Sequence, residues 1–165
     1  MARRDDNLEI ENLEDWIKWL DGLDDEHIER FKSRVLRSAG LRGLEYTQDL
    51  TPVRSGTLAD SYSFGDKNNV FELKAGKTSY VVWGTTVKYA RHVEEGFEQQ
   101  AGRFVPGFWK NGTFHYREDY DTGMVLTGKV IPGAHQMAKG IEYLDDDLSD
   151  IVDFEFQRLY AELNN

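Results

Sequence analysis

Along the first fifty residues, apolar side chains recur at the spacing of one helical face. Leu13, Trp16, Ile17 and Leu20 follow an i, i+3, i+4, i+7 pattern and predict an amphipathic helix over residues 7–22, capped by Asn7 or Asn12. A longer helix is predicted after Asp24. Asp25 and Glu26 in its first turn complement the helix dipole, and Ile28, Phe31, Val35 and Ala39 continue its buried face. Gly40 and Gly43 weaken it by about 1 kcal/mol each relative to alanine. Pro52 forbids continuation and pushes Thr51 out of the helical region.

From Thr57 the period changes to two. Leu58, Asp60, Tyr62 and Phe64 predict a strand, residues 66–69 a turn, and Val70 to Lys74 the return strand. After a turn at Gly76-Lys77, the β-branched and aromatic run Tyr80-Val81-Val82-Trp83 predicts a third strand, with Gly84 marking a bend or bulge. Tyr89 to Glu95 has room for about two helical turns. Near the end, Ile131-Pro132-Gly133 predicts a helix start and Gly140 its end. A second piece from Glu142 carries the stripe Leu144, Leu148, Ile151, Val152, Phe156, Leu159 and Leu163.

Residues 97–127 keep no period. Phe97, Phe104, Phe108, Trp109, Phe114, Tyr116 and Tyr120 are interleaved with polar residues, and Asn111-Gly112 is a hairpin-turn signal. So many aromatics do not suit disorder, and they are the types enriched at protein interfaces. These seven are the candidate interface residues, with packing on the chain's own core and a ligand pocket as the alternatives. The expected fold is a single α+β domain over residues 1–165. It comprises N-terminal helices (1–50), a small antiparallel sheet of three to four strands (57–84) with long helices on one face, a projecting aromatic-rich loop or hairpin (97–127), and C-terminal helices (132–163).

Composition narrows the function. A net charge of −10 opposes general phosphate-backbone binding, and the four cations near the aromatic loop make stacking on single-stranded nucleic acid a weak alternative. The charge is also lopsided. Residues 1–30 hold eleven acids and four bases, residues 142–165 eight acids and one base, and residues 31–60 five bases and three acids. Such asymmetry suits charge-steered contact between proteins, although a solvated helix face is the commoner meaning of a charge run. The absence of cysteine removes disulfide and thiolate chemistry, and no apolar run approaches the ~18 residues of a membrane span. A chain made and folded in the cytosol is expected. His92 and Glu95, at i, i+3, could seed a metal or acid–base site, and His135 could meet an anion at a helix start, but an ordinary surface role outweighs both. No phosphate loop, dinucleotide fingerprint or nucleophile elbow is present. No catalytic residue, metal or cofactor is expected.

With that order of elements in hand, the chain resembles the tail-completion or head–tail joining proteins of tailed bacteriophages. Thr51-Pro52-Val53-Arg54-Ser55-Gly56-Thr57-Leu58 looks like the family's Thr-Pro-Val-x-[Thr/Ser]-Gly-x-Leu entry to the sheet. Val82-Trp83-Gly84-Thr85 followed by Val87-Lys88-Tyr89-Ala90 is similar to its Val-Gly-Thr…Tyr-Ala exit, with Trp83 inserted. His92-Val93-Glu94-Glu95-Gly96 fits its Val-Glu-aromatic-Gly closing turn, with Glu95 in place of the aromatic. The resemblance covers residues 8–96 and, more loosely, 128–163. Thr51, Pro52, Gly56, Leu58, Gly84, Tyr89, Ala90, Glu94 and Gly96 carry it. It implies a non-enzymatic virion protein of the neck, a ring of six copies between the connector and the tail. The implied partners are further copies, a head-completion or connector protein, and a tail-terminator or tail-tube protein, with DNA only passing through the channel and no membrane. The host cytoplasm would hold the protein before assembly. A tail terminator, a minor capsid subunit or, from another class, a small metal-dependent hydrolase are the alternatives.

Overall fold

A computed structural model describes residues 20–164. The expected helix over residues 7–22 therefore falls largely outside the described residues; of it, Leu20 and Asp21 are seen to be helical. Helix α1 (Asp25–Asp49) and the short α2 (Thr57–Asp60) precede a hairpin of β1 (Asn69–Lys74) and β2 (Tyr80–Thr85). Helix α3 (Ala90–Glu95) follows. Then come strands β3 (Gly96–Glu98), β4 (Phe104–Lys110), β5 (Thr113–Tyr116), β6 (Gly123–Val125) and β7 (Val130–Pro132), and helix α4 (Gln136–Leu163). The α+β class is as expected, but the strands form three small antiparallel sheets, β1-β2, β3-β7 and β5-β4-β6, rather than one.

Helix α1 starts where the Asp24 carboxylate accepts the His27 N–H at 2.8 Å, satisfying an otherwise orphan donor. It ends as Thr51 donates its hydroxyl to the Thr47 carbonyl at 2.6 Å, just before Pro52. The β1–β2 hairpin and α4 lie against α1. In the β1–β2 hairpin, Phe71 faces Trp83 and Leu73 faces Val81, so these four share one side of the pleat. That side rests on Gly40 and Gly43. A Cβ at Gly40 would stand 2.5 Å from Val81 Cγ2, and one at Gly43 would stand 2.6 Å from Trp83 Cζ2. The two glycines weaken a helix in isolation, yet here they form the notch that seats the sheet. Leu44, Leu58 and Tyr62 make the buried centre, bordered by Leu41, Phe71, Trp83, Val87, Ala90 and Val93.

Helix α4 packs along α1 through a mixed seam. Gly140 abuts Thr47, while Leu144 and Leu159 are buried. Glu155, 3% exposed, pairs with Arg34 at 3.2 Å and accepts the Ser38 hydroxyl at 3.2 Å. Arg34 also reaches Glu162 at 2.5 Å.

Three local expectations are corrected. The predicted strand from Thr57 is the helical turn α2 followed by further turns, with Asp60 N–H on the Gly56 carbonyl at 2.8 Å. Leu58 and Tyr62 satisfy a period of four as well as two, and burial beside Leu44 selects the helical solution. Gly84 is no bulge; it pairs in register with Val70, and β2 continues to Thr85. The helix start expected at Ile131-Pro132-Gly133 is strand β7, paired with β3, and α4 begins at Gln136 and runs unbroken through Gly140.

Candidate interaction surface

The aromatic excursion is a built arm with a neck. Gly96 pairs with Pro132 and Phe97 with Ile131, so the chain leaves the body and returns to it on adjacent strands. Gly96 has φ 77°, and a Cβ there would collide with the Ile131 carbonyl oxygen; Gly133 lies as tightly against the Glu94 backbone. Only glycine permits both that conformation and that approach.

Beyond the neck, β5-β4-β6 form a three-stranded sheet whose extensive contacts are with one another. Asn111 and Gly112 take positive φ of 50° and 76°, the two-residue turn whose twist matches antiparallel strands. Trp109 packs edge-on to Phe114 across the strands at 5.4 Å, and Phe108 stacks on His115 at 5.2 Å. Tyr120 lies 5.4 Å from Phe108, under the Arg117 guanidinium. Phe108 and Trp109 are adjacent in β4 and so point to opposite faces, leaving the arm aromatic on both sides. Of the seven predicted interface residues, Phe97, Phe104, Trp109, Tyr116 and Tyr120 are exposed, Trp109 by 61% and Tyr116 by 60%; Phe108 and Phe114 are half-buried between them.

Four of the nine signature residues, Pro52, Gly56, Leu58 and Tyr89, border one cleft. Pro52, Arg54, Gly56 and Leu58 on one side and Tyr89 and Val93 on the other bound an open cleft of about 440 Å³. Leu58 and Ala90 contribute to the core, and Gly84 lies in β2. Glu94 has a role that spacing alone did not reveal. Its carboxylate accepts the backbone N–H groups of Met137 at 2.8 Å and Ala138 at 3.1 Å, capping α4 from a distant part of the chain. His135, considered for an anion there, occupies the left-handed position before α4 without capping it.

His92 and Glu95 border one open hollow, where His92 leans on Phe97 at 5.5 Å and Glu95 is held by Arg91 at 2.8 Å. Among the described residues no group of three or more His, Asp and Glu side chains could hold a metal ion. No described helix is long and apolar enough to cross a membrane.

The unlike charges found in sequence meet in part within the chain: two of the five bases in residues 31–60 pair with acids of α4. Arg34 is taken by Glu155 and Glu162, and Arg42 lies 3.8 Å from Asp147. Asp147 also accepts the Tyr46 hydroxyl, and that bond holds the phenol above its ordinary pKa. The sequence reading missed one further surface: Val82 and, on α4, Ile141 and Leu148 are exposed beside one another's neighbours. Val82 was legible only as the alternate position of a strand whose covered side was not yet known.

Residues 14–96 match a family model described as "Bacteriophage HK97-gp10, putative tail-component". An uncharacterized protein of Bacillus subtilis strain 168, YqbI, is 29% identical over 138 residues, covering 77% of this chain and 82% of its own. No solved structure matches the chain. The matched span runs through α1, the Thr51-Pro52 loop, the β1–β2 hairpin and the Glu94–Gly96 closing turn, half of the whole sequence. The chain is therefore a member of the HK97 gp10-like family and a phage tail-related structural protein.

Proposed function

We propose that the protein is a tail-completion subunit that joins heads to tails, assembling as a ring, of six copies, between connector and tail. Its partners are further copies, a head-completion or connector protein and a tail-terminator or tail-tube protein, with DNA passing through the channel. Its place is the neck of the virion. The observation that carries this reading is the arm: a double-faced aromatic sheet of no net charge held off the body by a two-strand neck. Burying such a sheet against a partner removes apolar area from water at roughly 25 cal/mol per Å², and an arm closed at its base can do so without unfolding the body.

The neck makes the test clean. Replacing residues 100–128 by a short turn between Gln99 and Lys129, whose backbones already bond at 3.0 Å, removes the arm alone. The expected variant melts cooperatively and fails to complement a phage lacking the gene, leaving filled heads and finished tails unjoined in electron micrographs. Normal virions from this variant would refute the assignment. Loss of the cooperative melt would instead make the arm part of the core.

A further inference from the structure

Among the described residues, strand β2 has a hydrogen-bonded neighbour on one side only. Thr86 N–H bonds the Asn68 carbonyl at 2.9 Å, which in this register makes Gly84, Val82 and Tyr80 the residues bonded to β1. The N–H and C=O groups of Val81, Trp83 and Thr85 therefore point to the open edge. That edge is flanked by apolar surface. Val81, Val82 and Trp83 share a shallow groove with Met137 and Ile141 of α4, and Ile141 continues into a second groove with Leu144 and Leu148. Val82 is 47% and Ile141 51% exposed. Folded proteins usually blunt or cover an open edge, and an open edge beside an apolar helix face is the geometry that receives an added strand.

The arm presents a complementary edge. Arg117 N–H bonds the Pro106 carbonyl at 3.2 Å, so Thr113 and His115 pair with β4 while the backbones of Phe114 and Tyr116 face outward. Both edges thus offer unpaired backbone groups at every second residue. Charge selects the match. The β4–β5 hairpin itself, residues 104–116, has Lys110 and no acid, and Arg117 just beyond it is held by Asp119. From residue 141 to residue 157 the chain has seven acids and no base, and of these acids Asp147 and Glu155 are already paired within the chain. Glu142 and Asp145 line the groove itself, and Lys110 stands exposed at the hairpin tip.

We infer that the open edge of β2, with Ile141 and Leu148 beside it, receives the β4–β5 hairpin of a second copy, β5 adding as a third strand to the β1–β2 sheet. The inference rests on the ring reading above and specifies its contact. Such a contact is heterologous, one patch meeting a different patch, and so propagates around a ring.

The test uses the full chain. Sedimentation should show self-association that weakens with salt, as screening requires. Lys110→Glu and Asp145→Lys should each weaken it about tenfold or more, and the double reversal should restore it. Because the chain contains no cysteine, Val82→Cys and His115→Cys can be mixed as two separate proteins and oxidised. A disulfide-linked pair containing one of each is expected. A chain that stays monomeric at every attainable concentration, a double reversal that does not rescue, or no mixed disulfide would each overturn the inference. A disulfide within one chain carrying both cysteines at high dilution would make the chain's own arm the occupant, which also overturns it. If these results fail while removal of residues 100–128 still blocks joining, the joining function stands and only this contact falls.

Discussion

Gly43 faces Trp83 where a helix preference and a packing requirement oppose each other. Alanine in a helix interior is favoured over glycine by about 1 kcal/mol. Its methyl would stand 2.6 Å from the indole, and overfilling a packed core costs about 1–3 kcal/mol. The ring cannot retreat freely, since its Nε1 donates to Thr47 at 3.4 Å and it borders the buried centre. Packing at least offsets the helix preference, so Gly43→Ala is expected to lower the urea unfolding free energy by up to about 2 kcal/mol, whereas a solvent-facing glycine in a helix would respond in the opposite sense. Thr47 shows the same economy of space. It is fully buried, donates its hydroxyl to the Gly43 carbonyl at 2.7 Å, and touches both Trp83 and Met137.

Among the elements, α4 depends most on a distant residue. It starts after a left-handed His135 that provides no side-chain cap, and the missing acceptor is Glu94 at the end of α3. The carboxylate satisfies two orphan N–H groups and sits at the positive end of a long helix dipole. Glu94→Ala is expected to destabilise the protein by about 1–2 kcal/mol, with hydrogen exchange accelerating first in the opening turn of α4. Faster exchange confined to α3 would remove the capping account. The Ala134 and His135 N–H groups also bond the Val93 and Glu94 carbonyls, so the end of α3 is tied to the segment that leads into α4.

Across the whole molecule, charge sets the pH range of stability. Arg34 beside Glu162 holds its carboxyl below the ordinary range, and the His27 N–H does the same for Asp24. A carboxylate lowered in the folded state adds stability that is fully present above its unfolded pKa. That stability is lost as the pH falls through the folded value. Tyr62, raised chiefly by burial, and Tyr46, raised by its bond to Asp147, act at the other end. Their contribution is complete below the ordinary tyrosine pKa and is lost as the pH rises through the raised values. The urea midpoint should therefore be level between the carboxylate and tyrosine ranges and fall on both sides. A midpoint that falls steadily across neutral pH would show that general repulsion from the net charge of −10 dominates instead.

How far the residues speak by themselves varies with the range of the forces involved. Helix α1, the β1–β2 hairpin, the two turns of α3 and the Asn111-Gly112 turn were legible because periodicity, proline and turn residues act locally. The order of the signature residues around Thr51-Pro52 and Glu94–Gly96 was equally readable and identified the family. The α2 segment was not, since Leu58 and Tyr62 fit both periods and only the pocket beside Leu44 decides between them. Nor was β7, whose Val130-Ile131-Pro132 run resembles a helix start until Gly96–Glu98 arrives as its partner. The meaning of Gly40 and Gly43, the internal pairing of Arg34 and Arg42 with α4, and the open edge of β2 are likewise products of tertiary structure. Each depends on residues far apart in the chain, and sequence spacing carries no record of which surfaces the fold brings together and which it leaves uncovered.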